Sequence, residues 1–158
     1  MKISNSGKLA IAMFVSLAAG GLGSIFTSSA IPTWYATLTR PALNPPNWIF
    51  APVWTTLFVL MGIATWLIWK QGIDKPKVRE ALKIFLGQLT LNVLWSFIFF
   101  GLHNPGLAFL EIIFLWLAIL ATILSFSKVS KTAAFLLVPY IAWVSFASYL
   151  NLAIWRLN

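Results

Sequence analysis

Gln88, Asn92 and Trp95 stand at i, i+4 and i+7 of an apolar run, which places two amides and an indole on one helix face. Amides in hydrocarbon must face other helices or a cavity, because lipid offers them no partner. Two readings follow. The amides are either hydrogen-bonding glue between helices, worth roughly 1 kcal/mol each, or the polar lining of a cavity for a flat ligand with polar edges. Glu111 is an acidic residue inside a span; it reads as paired with Arg40 or Arg156, as neutral and hydrogen-bonded, or as part of a proton or ligand path. The single histidine, His103, lies in the turn His103-Asn104-Pro105-Gly106 and reads as a surface residue, so no multi-histidine metal site can be assembled. The chain has no Cys, which removes disulfides, thiolate metal sites and cysteine nucleophiles. No Ser-His-Asp set, paired carboxylates or phosphate loop is present.

The elements that must position these groups are membrane helices. Sixty per cent of the 158 residues are hydrophobic and 9% are charged, more apolar surface than a water-soluble domain of this length can hide. The expected fold is all-α, a single five-helix transmembrane bundle with helices at about residues 9–29, 48–69, 81–102, 105–126 and 132–155. Along helix 1, Ala12, Ser16, Gly20 and Ser24 recur every four residues, with Ala19 and Gly23 beside them. Small residues at that spacing admit a second helix backbone, within the chain or across a homodimer. Asn104 is a good N-cap for helix 4, with Pro105 at its first position. Pro139 inside helix 5 frees the carbonyl of Phe135 and is expected to bend the helix. The charged segment Gln71 to Lys83 is expected to be a linker in water.

Between helices 1 and 2 lies the longest stretch expected to be non-helical, about residues 30–47. The span Trp34 to Trp54 around it holds three of the nine tryptophans and four of the eight prolines. Each proline fixes φ and lacks a donor, so a stiff aromatic loop is expected. Trp34, Trp48, Trp69 and Trp155 fall near span ends and suit an interfacial belt, whereas Trp54, Trp95 and Trp143 sit deeper. Of the 11 basic residues, Lys2, Lys8, Lys70, Lys75, Lys77, Arg79, Lys83, Lys128 and Lys131 fall on the N-terminal side, and only Arg40 and Arg156 on the other. If the chain sits in a bacterial cell membrane, the expected location, the positive-inside rule puts the N-terminus in the cytoplasm and the aromatic loop outside. The formal net charge of +8 then reflects topology and contact with anionic membrane lipids, with no nucleic acid as partner.

Trp34-Tyr35, Leu38, Pro41, Pro45-Pro46, Trp48, Pro52, Trp54 and Met61-Gly62 form one set of fixed spacings. Gln88-Leu89, Leu91-Asn92, Trp95 and Phe99-Phe100-Gly101 form a second; Pro139-Tyr140, Trp143, Phe146-Ala147, Leu150-Asn151 and Arg156-Leu157-Asn158 form a third. Together they resemble the tryptophan-rich sensory protein / translocator protein (peripheral-type benzodiazepine receptor) family over essentially the whole chain. The resemblance implies a five-helix bundle, often a homodimer, with a pocket beneath the helix 1–2 loop as lid. It implies a receptor, carrier or sensor for porphyrins and other haem-pathway tetrapyrroles, with sterols and drug-like ligands for some members; the porphyrin is ligand or substrate, and no separate cofactor is expected. Phe50, Ala51 and Trp54, Asn92 and Trp95, and Trp143, Ala147 and Leu150 would line the pocket, with Trp34, Tyr35, Pro45, Pro46 and Gln88 as further ligand-binding positions. Trp54 and Trp143 match a pair implicated in light-dependent porphyrin breakdown by bacterial relatives, and would be the catalytic residues of such an enzyme. Three departures accompany the matches. Leu152 stands where sterol-binding relatives have a Tyr, and six positions separate Tyr149 from Arg156, which weakens the sterol pattern. Leu107 replaces a tryptophan of animal members, and Ala42 an aromatic of many relatives.

Overall fold

The structure is a computed structural model that describes residues 3–158, so Lys2 lies outside the described residues. Five helical spans are long and apolar enough to cross a membrane, and no strand occurs among the described residues. They are α1 (Asn5–Ala30), α2 (Asn47–Trp69), α3 (Pro76–Ser96), α4 (Pro105–Ser127), and a fifth span made of α5 (Lys131–Phe135) and α6 (Val138–Leu157). α1 packs on α2 and α3, α3 on α4, and α4 on α6, while α5 leans on α2 and α4.

Local chemistry explains most boundaries. Ser4 caps α1 by accepting from Gly7 N at 3.1 Å, Asn104 caps α4 by accepting from Leu107 N at 3.0 Å, and Ser130 caps α5 by accepting from Ala133 N at 3.3 Å. The Ser4 cap starts α1 at Asn5, ahead of the apolar run. α3 also starts early, at Pro76 rather than near residue 81. Pro76 suits a first helical turn, and Lys77, Arg79 and Glu80 are good helix formers that project into water while Val78 and Ala81 are buried. The charged linker is therefore shorter than expected, closing through Gly72 at φ +108°, a left-handed conformation that suits glycine.

Two spans end in π-helical turns at the same end of the bundle, Ile31–Tyr35 after α1 and Phe97–Gly101 after α3. In the first, Pro32 cannot donate to the carbonyl four residues back, and the turn widens instead of ending. Thr33 Oγ1 donates to Ser29 O at 2.8 Å, one turn back. In the second, Leu102 N reaches back five residues to Phe97 O at 2.9 Å. The expected loop 30–47 is thus corrected: residues 31–37 remain helical, and the non-helical segment is only 38–46. The fifth span is broken rather than bent, because Pro139 sits in the first turn of α6 and the chain turns at Leu136 and Leu137 before it.

α1 and α2 approach closely through their small residues. A Cβ on Gly62 would stand 2.6 Å from Met13 Sδ and 3.1 Å from Met13 Cα; one on Gly20 would meet the Phe58 ring at 2.7 Å. Ala12, Ser16, Ala19 and Gly23 are buried. The small-residue stripe is therefore used inside the chain.

Candidate functional site

The core divides at the level of Asn92. Toward the basic end the interior is filled by Met61, Ile68, Phe85, Ile119 and Phe126. Toward the end that carries the two π turns it opens into a cavity of about 280 Å³. α1 contributes small and hydroxylated walls, Gly20, Gly23, Ser24, Thr27 and Ser28, and its π turn adds Ile31 and Tyr35. The rest is largely aromatic: Phe50, Trp54 and Phe58 from α2, Trp95 from α3, Phe99 and Phe100 from the π turn after it, and Trp143 from α6, where Ala147, Leu150 and Ile154 complete the wall. Both π turns deliver side chains here, since a wider turn shifts the helical register and aims residues that an α-helix would place elsewhere.

The polar groups are mostly committed to one another. Tyr140, fully buried below the cavity, accepts from Asn92 Nδ2 at 2.8 Å and donates to Gln88 Oε1 at 2.9 Å. Gln88 Nε2 approaches Met61 Sδ at 3.8 Å. Trp95 Nε1 donates to Asn151 Oδ1 at 3.0 Å, and Asn151 Nδ2 donates to Pro105 O at 2.7 Å. Trp95 therefore offers the cavity its ring and not its N–H. Trp143 differs: its Nε1 is buried and has no hydrogen-bond partner. Its ring meets Phe50 edge-on at 6.1 Å, and Trp54 stacks on Phe58 at 5.7 Å and stands edge-on to Tyr140 at 6.3 Å. What remains facing the cavity is aromatic surface with few polar groups, which suits a flat apolar ligand.

The expected positions separate cleanly. Tyr35, Phe50, Ala51, Trp54, Asn92, Trp95, Trp143, Ala147 and Leu150 line the cavity; Trp34, Pro45, Pro46 and Gln88 do not. Trp34 turns to the other side of its π turn, stacking on His103 at 4.4 Å and edge-on to Phe99 at 5.6 Å. Gln88 lies one helical turn too deep and is consumed by Tyr140. Pro45 and Pro46 lie in the non-helical segment that leads into α2, where Pro46 is the N-cap. The pairing expected of Glu111 is not formed: its two carboxylate oxygens are buried without a hydrogen-bond partner. Arg40 lies over the Tyr35 ring at 5.4 Å and reaches Asn47 Oδ1 at 3.4 Å, and Arg156 is exposed. The α1 wall was missed, although its signal was present: the small residues read as helix packing continue through Ser24 and Ser28, which line the cavity.

A multipass membrane protein whose first, second, third and fifth spans line a tryptophan-rich cavity is the class that this geometry defines. The profile of the TspO/MBR family matches residues 12–156. The chain belongs to that family. It is 46% identical over 150 residues to the tryptophan-rich protein TspO of Chlorobaculum tepidum, covering 95% of each chain. It is 44% identical over 151 residues to the protein of the same name from Archaeoglobus fulgidus, covering 96% of this chain and 97% of the relative. The human translocator protein is 40% identical over 138 residues, 87% of this chain and 82% of its own length.

Proposed function

We propose that the cavity binds a porphyrin or related tetrapyrrole, and that the protein is a membrane receptor, carrier or sensor for it. The carrying observation is the wall composition: Phe50, Trp54, Trp95, Phe99, Phe100 and Trp143 converge on one space, and the indole N–H of Trp143 has no partner within the protein. Flat faces supply stacking area, and a buried orphan donor favours a ligand acceptor such as a carboxylate. At about 280 Å³ the cavity is at the lower edge of ligand pockets, which run about 300–1,000 Å³, so a macrocycle enters only as the walls part. Quenching of tryptophan fluorescence by protoporphyrin in liposomes tests the reading. Saturable quenching that weakens at least tenfold in Trp54→Phe/Trp143→Phe supports it, and quenching no stronger than by an unrelated dye refutes it.

A second reading is favoured by the placement of Trp54 and Trp143 on the same cavity. Both indoles lie where they could give an electron to a light-excited porphyrin, which would make the protein a porphyrin-degrading photoenzyme. It predicts a new absorbing product, formed in light faster than in protein-free detergent and lost in Trp143→Phe. Sterol or lipid transport is the weakest reading, since Leu152 offers no hydroxyl and Tyr149 is 46% exposed on α6. The basic clusters at the ends of α2 and α4 and the starts of α3 and α5 support a bacterial cell membrane with the N-terminus cytoplasmic and the lid outside. A homodimer, if formed, must use faces other than the α1 stripe, which is occupied within the chain.

A further inference from the structure

Most hydrogen bonds of the lid are local. Leu38 N donates to Tyr35 O at 3.3 Å, Asn44 N to Pro41 O at 2.9 Å, and Tyr35 OH to Asn44 Oδ1 at 2.9 Å. These shape the segment without tying it to the far side of the bundle. Two bonds do leave it, and both go to one side chain 119 residues away. Thr39 N donates to Asn158 Oδ1 at 2.9 Å, and Asn158 Nδ2 donates to Thr39 O at 3.0 Å. The same Nδ2 donates to Ile154 O at 2.8 Å, one turn back on α6. The amide thus mimics a paired strand: its acceptor meets the N–H of Thr39, and one donor meets the C=O of the same residue. Its remaining donor is held by α6, which fixes the orientation. Ile154 itself lines the cavity.

We propose that Asn158 is the latch of the lid, a positioning residue that holds residues 38–46 onto the end of α6 and sets how often the cavity opens. The proposal rests on reading the cavity as a ligand site. Both partners are exposed, so each bond exchanges readily with water and the clasp is weak enough to release. Two such bonds shift an opening equilibrium by about tenfold. Asn158→Ala removes both. Asn158→Asp keeps an acceptor for Thr39 N and loses the donors, so it falls between. Asn158 is not itself among the cavity-lining residues and meets Ile154 only at its backbone carbonyl, so its loss raises ligand association and dissociation together and leaves Kd nearly unchanged.

The chain has no native Cys, so a nitroxide at Leu43→Cys on the lid tip, where Leu43 is 66% exposed, reports lid motion without background. In liposomes without ligand, spin-label mobility should rise in Asn158→Ala and rise less in Asn158→Asp, with the thermal midpoint of the bundle unchanged. Stopped-flow quenching by protoporphyrin should then show both rate constants about tenfold faster in Asn158→Ala. A label as immobile in Asn158→Ala as in the parent overturns the latch, as does mobility gained only with a fall in thermal midpoint. Absence of saturable porphyrin quenching in the parent would remove the ligand reading instead, and the label would still decide the latch.

Discussion

Tyr140→Phe is the sharpest test of how the cavity floor is built. The substitution keeps the ring, and so keeps its burial and its edge-on contact with Trp54 at 6.3 Å. It deletes one oxygen that accepts from Asn92 and donates to Gln88, 48 and 52 residues away in sequence. Hydrogen bonds between membrane helices average about 0.6 kcal/mol, with a maximum near 1.7. Leaving a buried amide group unpartnered costs about 1–3 kcal/mol. Gln88 is 1% exposed and Asn92 4%, so water cannot readily replace the hydroxyl at Gln88, whereas Asn92 can turn toward the cavity it already lines. The expected loss is therefore about 1–3 kcal/mol, dominated by the orphaned Gln88 oxygen. Reversible unfolding in mixed detergent, followed by near-ultraviolet circular dichroism, measures it. Gln88→Leu combined with Tyr140→Phe should cost less than the sum of the two single changes, because the second removes a group already unpartnered. Equal stability of Tyr140→Phe and parent, or strict additivity in the double variant, would refute the network as a stabilising unit.

Other perturbations address packing and the site. Gly62→Leu should lower stability by about 1–3 kcal/mol, since even a Cβ there stands 3.1 Å from the Met13 backbone; an unchanged thermal midpoint would contradict the close α1–α2 approach. Gly20→Leu should displace Phe58 and change porphyrin affinity while leaving the oligomeric state by analytical ultracentrifugation as in the parent. Asn151→Leu strands both the Trp95 N–H and the Pro105 carbonyl, with an expected loss of about 1–3 kcal/mol and a shift in Trp95 emission. Pro45→Gly/Pro46→Gly should weaken porphyrin binding without lowering bundle stability, because prolines limit the freedom that the lid loses on closing; unchanged affinity would count against that role.

Membrane class, the number of spans and the caps at Asn104 and Pro105 were all legible in the chain, because each depends on composition or on residues within one turn of each other. Helix ends near prolines were less legible. Pro32 was read as part of a loop and lies in a π turn, and Pro139 was read as a bend and marks a break, since whether freed carbonyls find new partners depends on neighbours. Nine of the positions expected at the site line the cavity, and most of these were carried by resemblance rather than by periodicity.

What periodicity could not supply is depth and partner. Gln88 and Asn92 share a helix face, yet one is sealed below the cavity floor and the other lines its wall, a distinction set by where Tyr140 arrives from α6. The small residues of α1 look alike in sequence; Phe58 fills the space beside Gly20, while Ser24 and Ser28 are left to line the cavity. Glu111 found neither arginine, because both lie at the exposed rim. Sequence by itself determined the class of protein and the supply of aromatic, amide and small residues, since hydrophobic length and helix capping are local. Tertiary structure alone decided which of those groups face the cavity and which face each other, because pairing across about 50 or 119 residues is chosen by the packing of whole helices.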